Sequence, residues 1–187
     1  MKRRPVLYVV ASGASPASGL PALVTELNRD WDVCVIATPE GARFLDTVEL
    51  TELTGYPVRT TFKDPDAPDV LPRPNAFAAV PATFNTINKW AAGISDTLAL
   101  GLLNEAVGLG LPIVTVPWPN AALARHPAFG RSISTLRDCG IAVIFDPRRL
   151  PDDDNPEHAE FPWERLRAEI ARIRAALVDG EAGSGNR

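Results

Sequence analysis

A chain of 187 residues with a formal net charge of −4 has room for a substantial core and carries no basic excess. Hydrophobic residues make up 45% and charged residues 22%, and no Lys/Arg run is interleaved with aromatics, which argues against a nucleic-acid partner. No segment is long enough to span a bilayer, and neither Cys34 nor Cys139 sits in a CxxC pair, so membrane, redox-motif and metal readings are disfavoured.

The opening "MKRRPVLYVVASGASPASG" has the outline of a secretion signal, but its apolar run is short and ends in a Gly/Ser loop. It reads instead as a buried first strand over residues 6–11, in a cytoplasmic protein. Helical spacing follows at Leu20, Leu23, Val24 and Leu27. "WDVCVIAT" (31–38) is a second strand, with Cys34 as a core residue, and 39–55 is helical with a break. "YPVRTTF" (56–62) is a short third strand, followed by a Pro/Asp-rich loop. A fourth strand covers 75–81 and stops at Pro81, which cannot donate to a ladder. The helix over 95–110 is apolar nearly all round, with Ser95 as its N-cap; it needs cover beyond the sheet, which favours an oligomer. A fifth strand (111–117) leads into a helix over 126–140, with Cys139 read as a second core cysteine just before the stop at Gly140. A sixth strand (141–145), a polar Pro-rich excursion, an amphipathic helix from Trp163 to Val178 and a frayed tail (180–187) complete one domain.

Alternation of short apolar strands with helices predicts an α/β fold. It is a Rossmann-like (flavodoxin-like) three-layer sandwich with a parallel sheet of about six strands. Ligands of such folds bind at the carboxyl ends of the strands, after residues 11, 38, 81 and 116. The first loop, "ASGASPASG", lets backbone N–H groups approach an anion, although it is neither GxGxxG nor GxxxxGK[ST]. Thr38 stands where an NAD-binding fold needs a carboxylate, and either caps a helix or meets a phosphate; this favours a mononucleotide. After the fourth strand, Thr83, Asn85 and Thr86 offer a mixed set of donors and acceptors. They either cap short helices or line a ligand. Trp118, between two prolines, and Trp90 are candidate stacking walls. Asn120 and His126 follow the fifth strand.

At these loops the sequence resembles the homo-oligomeric flavin-containing cysteine decarboxylases. That family includes phosphopantothenoylcysteine decarboxylase and the lantibiotic peptidyl-cysteine decarboxylases, with the flavin prenyltransferases more distant. The family's P-A-S-A-N-T motif, with a following Lys and G-x-x-D, resembles "PATFNTINKWAAGISD": Pro81, Ala82, Asn85, Thr86, Lys89, Gly93 and Asp96 match, while Thr83 and Phe84 replace Ser and Ala. A second motif, P-x-M-N followed by M-W, resembles "PWPNAALA" at Pro117 and Asn120 only. The resemblance, over roughly residues 5–145, implies FMN as cofactor. Ser12, Gly13 and Ala14 would surround its phosphate, with Thr38 nearby, and Thr83, Phe84, Asn85 and Thr86 would line the isoalloxazine and ribityl chain. It also implies a homotrimer or a multiple of trimers. It aligns Asn120 with the residue that contacts the substrate carboxylate, which leaves His126 as the candidate acid/base. Lys89 and Asp96 hold geometry in this reading.

The sequence also departs from the family. The stretch "KDPDAPDVLPRPNAF" contains no His where the decarboxylases carry one, and the C-terminal Cys-Gly clamp is absent. Two expectations follow: a flavoenzyme acting on a small carboxylated substrate, or a non-catalytic, regulatory FMN-binding oligomer. A prenyltransferase would need a basic phosphate site, for which Arg125 and Arg131 are the candidates.

Overall fold

The computed structural model describes residues 4–152 and 159–184. Five parallel strands form one sheet in the order β2-β1-β3-β4-β5: β1 (Val6–Ala11), β2 (Asp32–Ala37), β3 (Ala76–Ala82), β4 (Ile113–Pro117) and β5 (Ala142–Val143). The register of β1 on β2 runs from Val6↔Asp32 to Ala11↔Ala37. Alternate residues face opposite ways, which divides the core into two layers. One face presents Tyr8, Val10, Cys34, Ile36, Phe77 and Ala79. It is covered by α3 (Phe84–Ala91), α4 (Leu98–Gly108) and α6 (Pro127–Asp138). The other presents Leu7, Val9, Val33, Val35, Ala78 and Val114 to α1 (Leu20–Leu27), to Leu50 of α2 (Thr47–Thr54) and to α7 (Trp163–Ser184). The strands read as uninterrupted apolar runs because both faces are buried.

The predicted α/β architecture stands, with local corrections. The expected strand over 56–62 contracts to one bridge: Arg59 pairs with Ile36, donating to the Val35 carbonyl at 3.2 Å and accepting from the Ala37 N–H at 2.8 Å. Pro57 contributes no donor at this outer edge, and the Pro-rich loop that follows leads the chain away. Pro81 does not stop its strand. β3 passes through it to Ala82, with a register shift against β4 between Ala79 and Ala82 that accommodates a residue lacking an N–H. The N-cap of α4 is Thr97, whose hydroxyl accepts from the Leu100 N–H at 3.3 Å. Ser95 instead accepts from the Asn104 amide at 2.9 Å. Cys139 is exposed at the end of α6 rather than in the core, whereas Cys34 is buried as expected. The last helix continues to Ser184, past the expected end at Val178; residues 185–187 of the expected tail lie outside the described residues.

Two tests follow. Thr97→Ala should cost about 1 kcal/mol in a denaturant titration, and Ser95→Ala no more than about 0.5 kcal/mol. Burial, and then the Asp32 charge, push the Cys34 thiol from 9.0 to about 12. The native protein should therefore release only one fast thiol to Ellman's reagent at pH 8, and Cys139→Ser should abolish it. The same shift sets a sign. The unfolded chain loses this proton first, so the Cys34 contribution to stability is intact below pH 9 and disappears towards pH 12.

Candidate functional site at the carboxyl edge of the sheet

In the strand order β2-β1-β3, connections leave β1 and β3 in opposite directions, which opens a crevice at their carboxyl ends. Three backbone bonds lace that edge together. The Ser12 N–H donates to the Pro81 carbonyl at 3.0 Å, Thr38 to Ala11 at 2.9 Å and Trp118 to Ala82 at 2.7 Å. The β1 loop and the Thr83 corner are then joined through side chains. Ser12 Oγ lies 2.9 Å from Thr86 Oγ1, which lies 3.1 Å from Thr83 Oγ1. Ser12 is 1% and Thr86 6% exposed, so their contact is interior, while Thr83 is half-buried.

The predicted polar cluster is the first turn of a helix. Thr83 caps α3 by accepting from the Thr86 N–H at 3.3 Å, and Ile87, Trp90 and Ala91 supply the inward stripe at helical spacing. With Thr83 holding the Thr86 N–H, the N–H groups of Phe84 and Asn85 remain at the crevice without intrahelical acceptors. Asn85 is exposed, and Phe84 is half-buried. The Phe84 ring stacks on Phe129 (centroids 5.7 Å apart, 17° between planes) and meets His126 edge-on at 5.8 Å. Lys89 and Asp96 pair at 2.5 Å at the far end of α3, and Asn88 accepts from Ser132 at 2.7 Å, fixing α3 against α6.

Across the crevice, Gly13 and Ala14 are half-buried. The Thr38 hydroxyl accepts from the Gly41 N–H at 2.9 Å, closing the turn before the short helix Gly41–Phe44, whose N-cap is Glu40 rather than Thr38. Gly41 has no room for a side chain. A Cβ there would lie 2.4 Å from the Ala11 carbonyl oxygen. Gly19 is small for a different reason: a Cβ would stand 2.7 Å from the Trp163 indole, so this glycine of the first loop makes room for a ring.

Asn120 and His126 both act as helix caps. Asn120 Oδ1 accepts from the Leu123 N–H at 2.8 Å, starting α5 (Ala121–Ala124). His126 Nδ1 accepts from the Ala128 N–H at 3.1 Å, starting α6. Both residues are exposed. Neutral His126 therefore carries its proton on Nε2 in this arrangement, and Asn120 retains its amide N–H groups. Of the proposed stacking walls, Trp90 is buried in the core at 2% exposure and Trp118 packs edge-on to Phe161 at 5.1 Å. Among the described residues no group of three His, Cys, Asp or Glu side chains could hold a metal.

The Flavoprotein family profile matches residues 1–174. The chain belongs to the Flavoprotein family. Among curated proteins it is 29% identical over 151 residues to the coenzyme A biosynthesis bifunctional protein CoaBC of Bacillus subtilis, covering 77% of this chain and 36% of the relative. The chain thus spans about a third of the length of the curated relatives it matches. Among solved structures, the FMN-dependent cysteine decarboxylase TvaF of thioviridamide biosynthesis superposes with a TM-score of 0.74 at 22% identity, over 92% of this chain and 99% of that one. The FMN-binding protein AtHal3 gives 0.71 at 20% identity, over 91% and 97%. These likenesses establish the fold.

The hydroxyl chain yields a double-mutant test. Thr86→Val leaves Ser12 Oγ buried without its partner and should cost about 1–3 kcal/mol. Adding Ser12→Ala removes the orphan, so the pair should cost clearly less than the sum of the singles. Denaturant midpoints of the four proteins measure the coupling, and additivity would remove the bridge from the account.

Proposed function

We propose that this flavoprotein binds FMN in the crevice between β1 and β3. The observation that carries the reading is the Ser12–Thr86–Thr83 hydroxyl chain at the topological switch point, buried at Ser12 and Thr86 and half-buried at Thr83. It fixes a corner where free helix N–H groups, an exposed amide and a half-exposed aromatic ring meet. That donor set suits a planar heterocycle with a polyol phosphate tail. Gly13, Ala14 and the Thr38 hydroxyl would hold the phosphate end; Thr83, Phe84 and Asn85 would border the ring and ribityl chain. Ser12 and Thr86 support the wall from within, since both are nearly inaccessible. TvaF, described as FMN-dependent, and AtHal3, described as FMN-binding, share the fold and support the choice of cofactor.

Bound FMN would supply the redox chemistry, and the protein would bind, orient and exclude water. In this reading a small carboxylated substrate meets the Asn120 amide N–H groups, while His126 Nε2 handles a proton. The chain works in the cytoplasm as one domain and as a homotrimer or a multiple of trimers. Leu102 and Val107 of α4 remain half-buried and Leu109 beyond it is 66% exposed, which leaves apolar surface for a partner copy. A second reading, a non-catalytic FMN-binding oligomer, is favoured by two observations. Asn120 and His126 both spend an atom on capping, and residues 63–77 contain no His.

The purified full chain should be yellow with flavin absorbance, or take up added FMN, and Asn85→Ala should weaken FMN binding about tenfold or more. A colourless protein that takes up no FMN overturns the proposal. Reduction of the bound flavin by a carboxylated thiol, with loss on His126→Gln, selects the enzyme; a flavin that no such thiol reduces selects the binding oligomer.

A further inference from the structure

A cavity of about 830 Å³ lies on the Tyr8 and Phe77 face of the sheet, between α4 and the segment 59–74. Its size is that of a small-molecule site. None of the residues assigned to the FMN crevice lines it. One stripe of α4 forms a wall. Leu98, Leu102 and Glu105, with Leu109 just beyond the helix, recur at helical spacing over a length of about 16 Å. Gly101 keeps this wall low, since a Cβ there would touch the Phe62 ring at 3.4 Å. Phe62 is 59%, Val70 48% and Leu109 66% exposed. Scattered apolar residues at a surface need no explanation, but these three gather around one cavity. Val107 lies elsewhere, about 140° or more round the helix from Leu102 and Leu109. A partner copy can therefore cover the Val107 flank without filling the groove.

The charged lining is unbalanced. Lys63 is held within its own loop, by Asp69 at 2.9 Å and by the Ala67 carbonyl at 2.7 Å. Arg59 donates to the Thr61 carbonyl at 3.1 Å, and neither Arg59 nor Arg73 pairs with a carboxylate among the described residues. Glu105 is the one lining carboxylate left against these two guanidinium groups. Tyr8 relates the two arginines. Its hydroxyl donates to the carbonyl of Pro72, next to Arg73, at 2.8 Å. Burial first, then the Cys34 thiol and the Asp69 charge, push that hydroxyl up to about 12, and the Arg59 charge acts on it in the opposite sense. Tyr8 thus stays neutral, and the free positive charge belongs to the arginines. Guanidinium groups recognise carboxylates through paired N–H donors.

We propose that this groove binds a monocarboxylate with a linear apolar chain. The carboxylate meets Arg59 and Arg73, and the chain lies along the α4 stripe beside Phe62 and Val70. The site does not rest on the FMN reading.

Decanoate, kept below its micelle-forming concentration, is the probe. Decyltrimethylammonium carries the same chain with the opposite charge, and acetate carries the head alone. Titration calorimetry on the full-length protein reads binding, sedimentation velocity reads the oligomeric state, and flavin content is measured separately on each sample. Decanoate should bind saturably, one per chain, about tenfold or more tighter than either control, with sedimentation unchanged. Arg59→Gln combined with Arg73→Gln should weaken it about tenfold. Gly101→Leu places a side chain in the groove at a helical position where leucine is the better helix former, and should also weaken decanoate about tenfold in a folded protein. The proposal is overturned if decanoate shows no saturable binding, if decyltrimethylammonium or acetate binds equally well, or if either folded variant keeps the native affinity. It is overturned too if decanoate binds only as copies separate, which would make a second copy the occupant of the groove. None of these outcomes bears on whether FMN is taken up in the crevice.

Discussion

The carboxyl edge of the sheet depends on a buried contact between two hydroxyl groups. Ser12 directly follows β1 and Thr86 lies in the first turn of α3, 74 positions later, yet their oxygens stand 2.9 Å apart. Neither side chain could be buried at this cost without the other, because an unpaired hydroxyl in the interior loses its water without replacement. The pair therefore fixes how α3 enters relative to β1. From that entry angle follow the positions of Phe84 and Asn85, the packing of Trp90 into the core, and the Asn88–Ser132 bond that locates α6. The Ser12 N–H to Pro81 carbonyl bond adds a backbone tie across the same gap, so the corner is held at two levels.

This construction separates support from contact. In a crevice built from exposed side chains, each polar group would both hold the wall and meet the ligand. Here the most buried hydroxyls hold the wall, while the groups left facing the crevice are backbone N–H groups, one amide and one ring. Backbone donors at a helix start cannot rotate away and carry the positive end of the helix dipole. In the reading proposed above they would meet an anionic, acceptor-rich ligand with little ordering left to occur on binding. The edge after β4 follows a different rule. Asn120 and His126 are anchored by one atom each as helix caps, which fixes the side chain and leaves the opposite atom available. A cap is thus compatible with a polar contact to a small molecule and restricts its direction.

The layered fold was legible because its signals are local and periodic: β-branched apolar runs alternating with helical stripes. The details that failed depended on partners distant in sequence. Residues 56–62 have strand-like composition, but they lie on an edge where Pro57 removes a donor, and only Arg59 finds a register. Pro81 reads as a terminator in isolation, whereas a register shift against β4 absorbs it. For α4, Ser95 looks like the cap in sequence; Asn104, one helical face later, draws it aside, and Thr97 stands at the helix start. In the crevice, the residue types were readable from the loops, but burial was not. Ser12 and Thr86 look like ligand contacts in the sequence, and the structure buries both side chains against each other.

Gly19 illustrates the same limit from the other direction. In a loop of small residues after the first strand, a glycine invites the reading that a phosphate comes close. The space beside it is instead taken by the indole of Trp163, 144 positions further along the chain. A backbone that must approach an anion and a backbone that must clear a ring impose the same demand on composition, namely no Cβ. Only the identity of the neighbour distinguishes them. The β1 loop therefore answers to both ends of the chain. Its first half, through Ser12 and Gly13, belongs to the crevice shared with α3, and its second half, through Gly19, belongs to the aromatic wall built by the segment entering α7. A substitution in that short loop therefore meets the Ser12–Thr86 contact or the Trp163 ring according to which half it falls in.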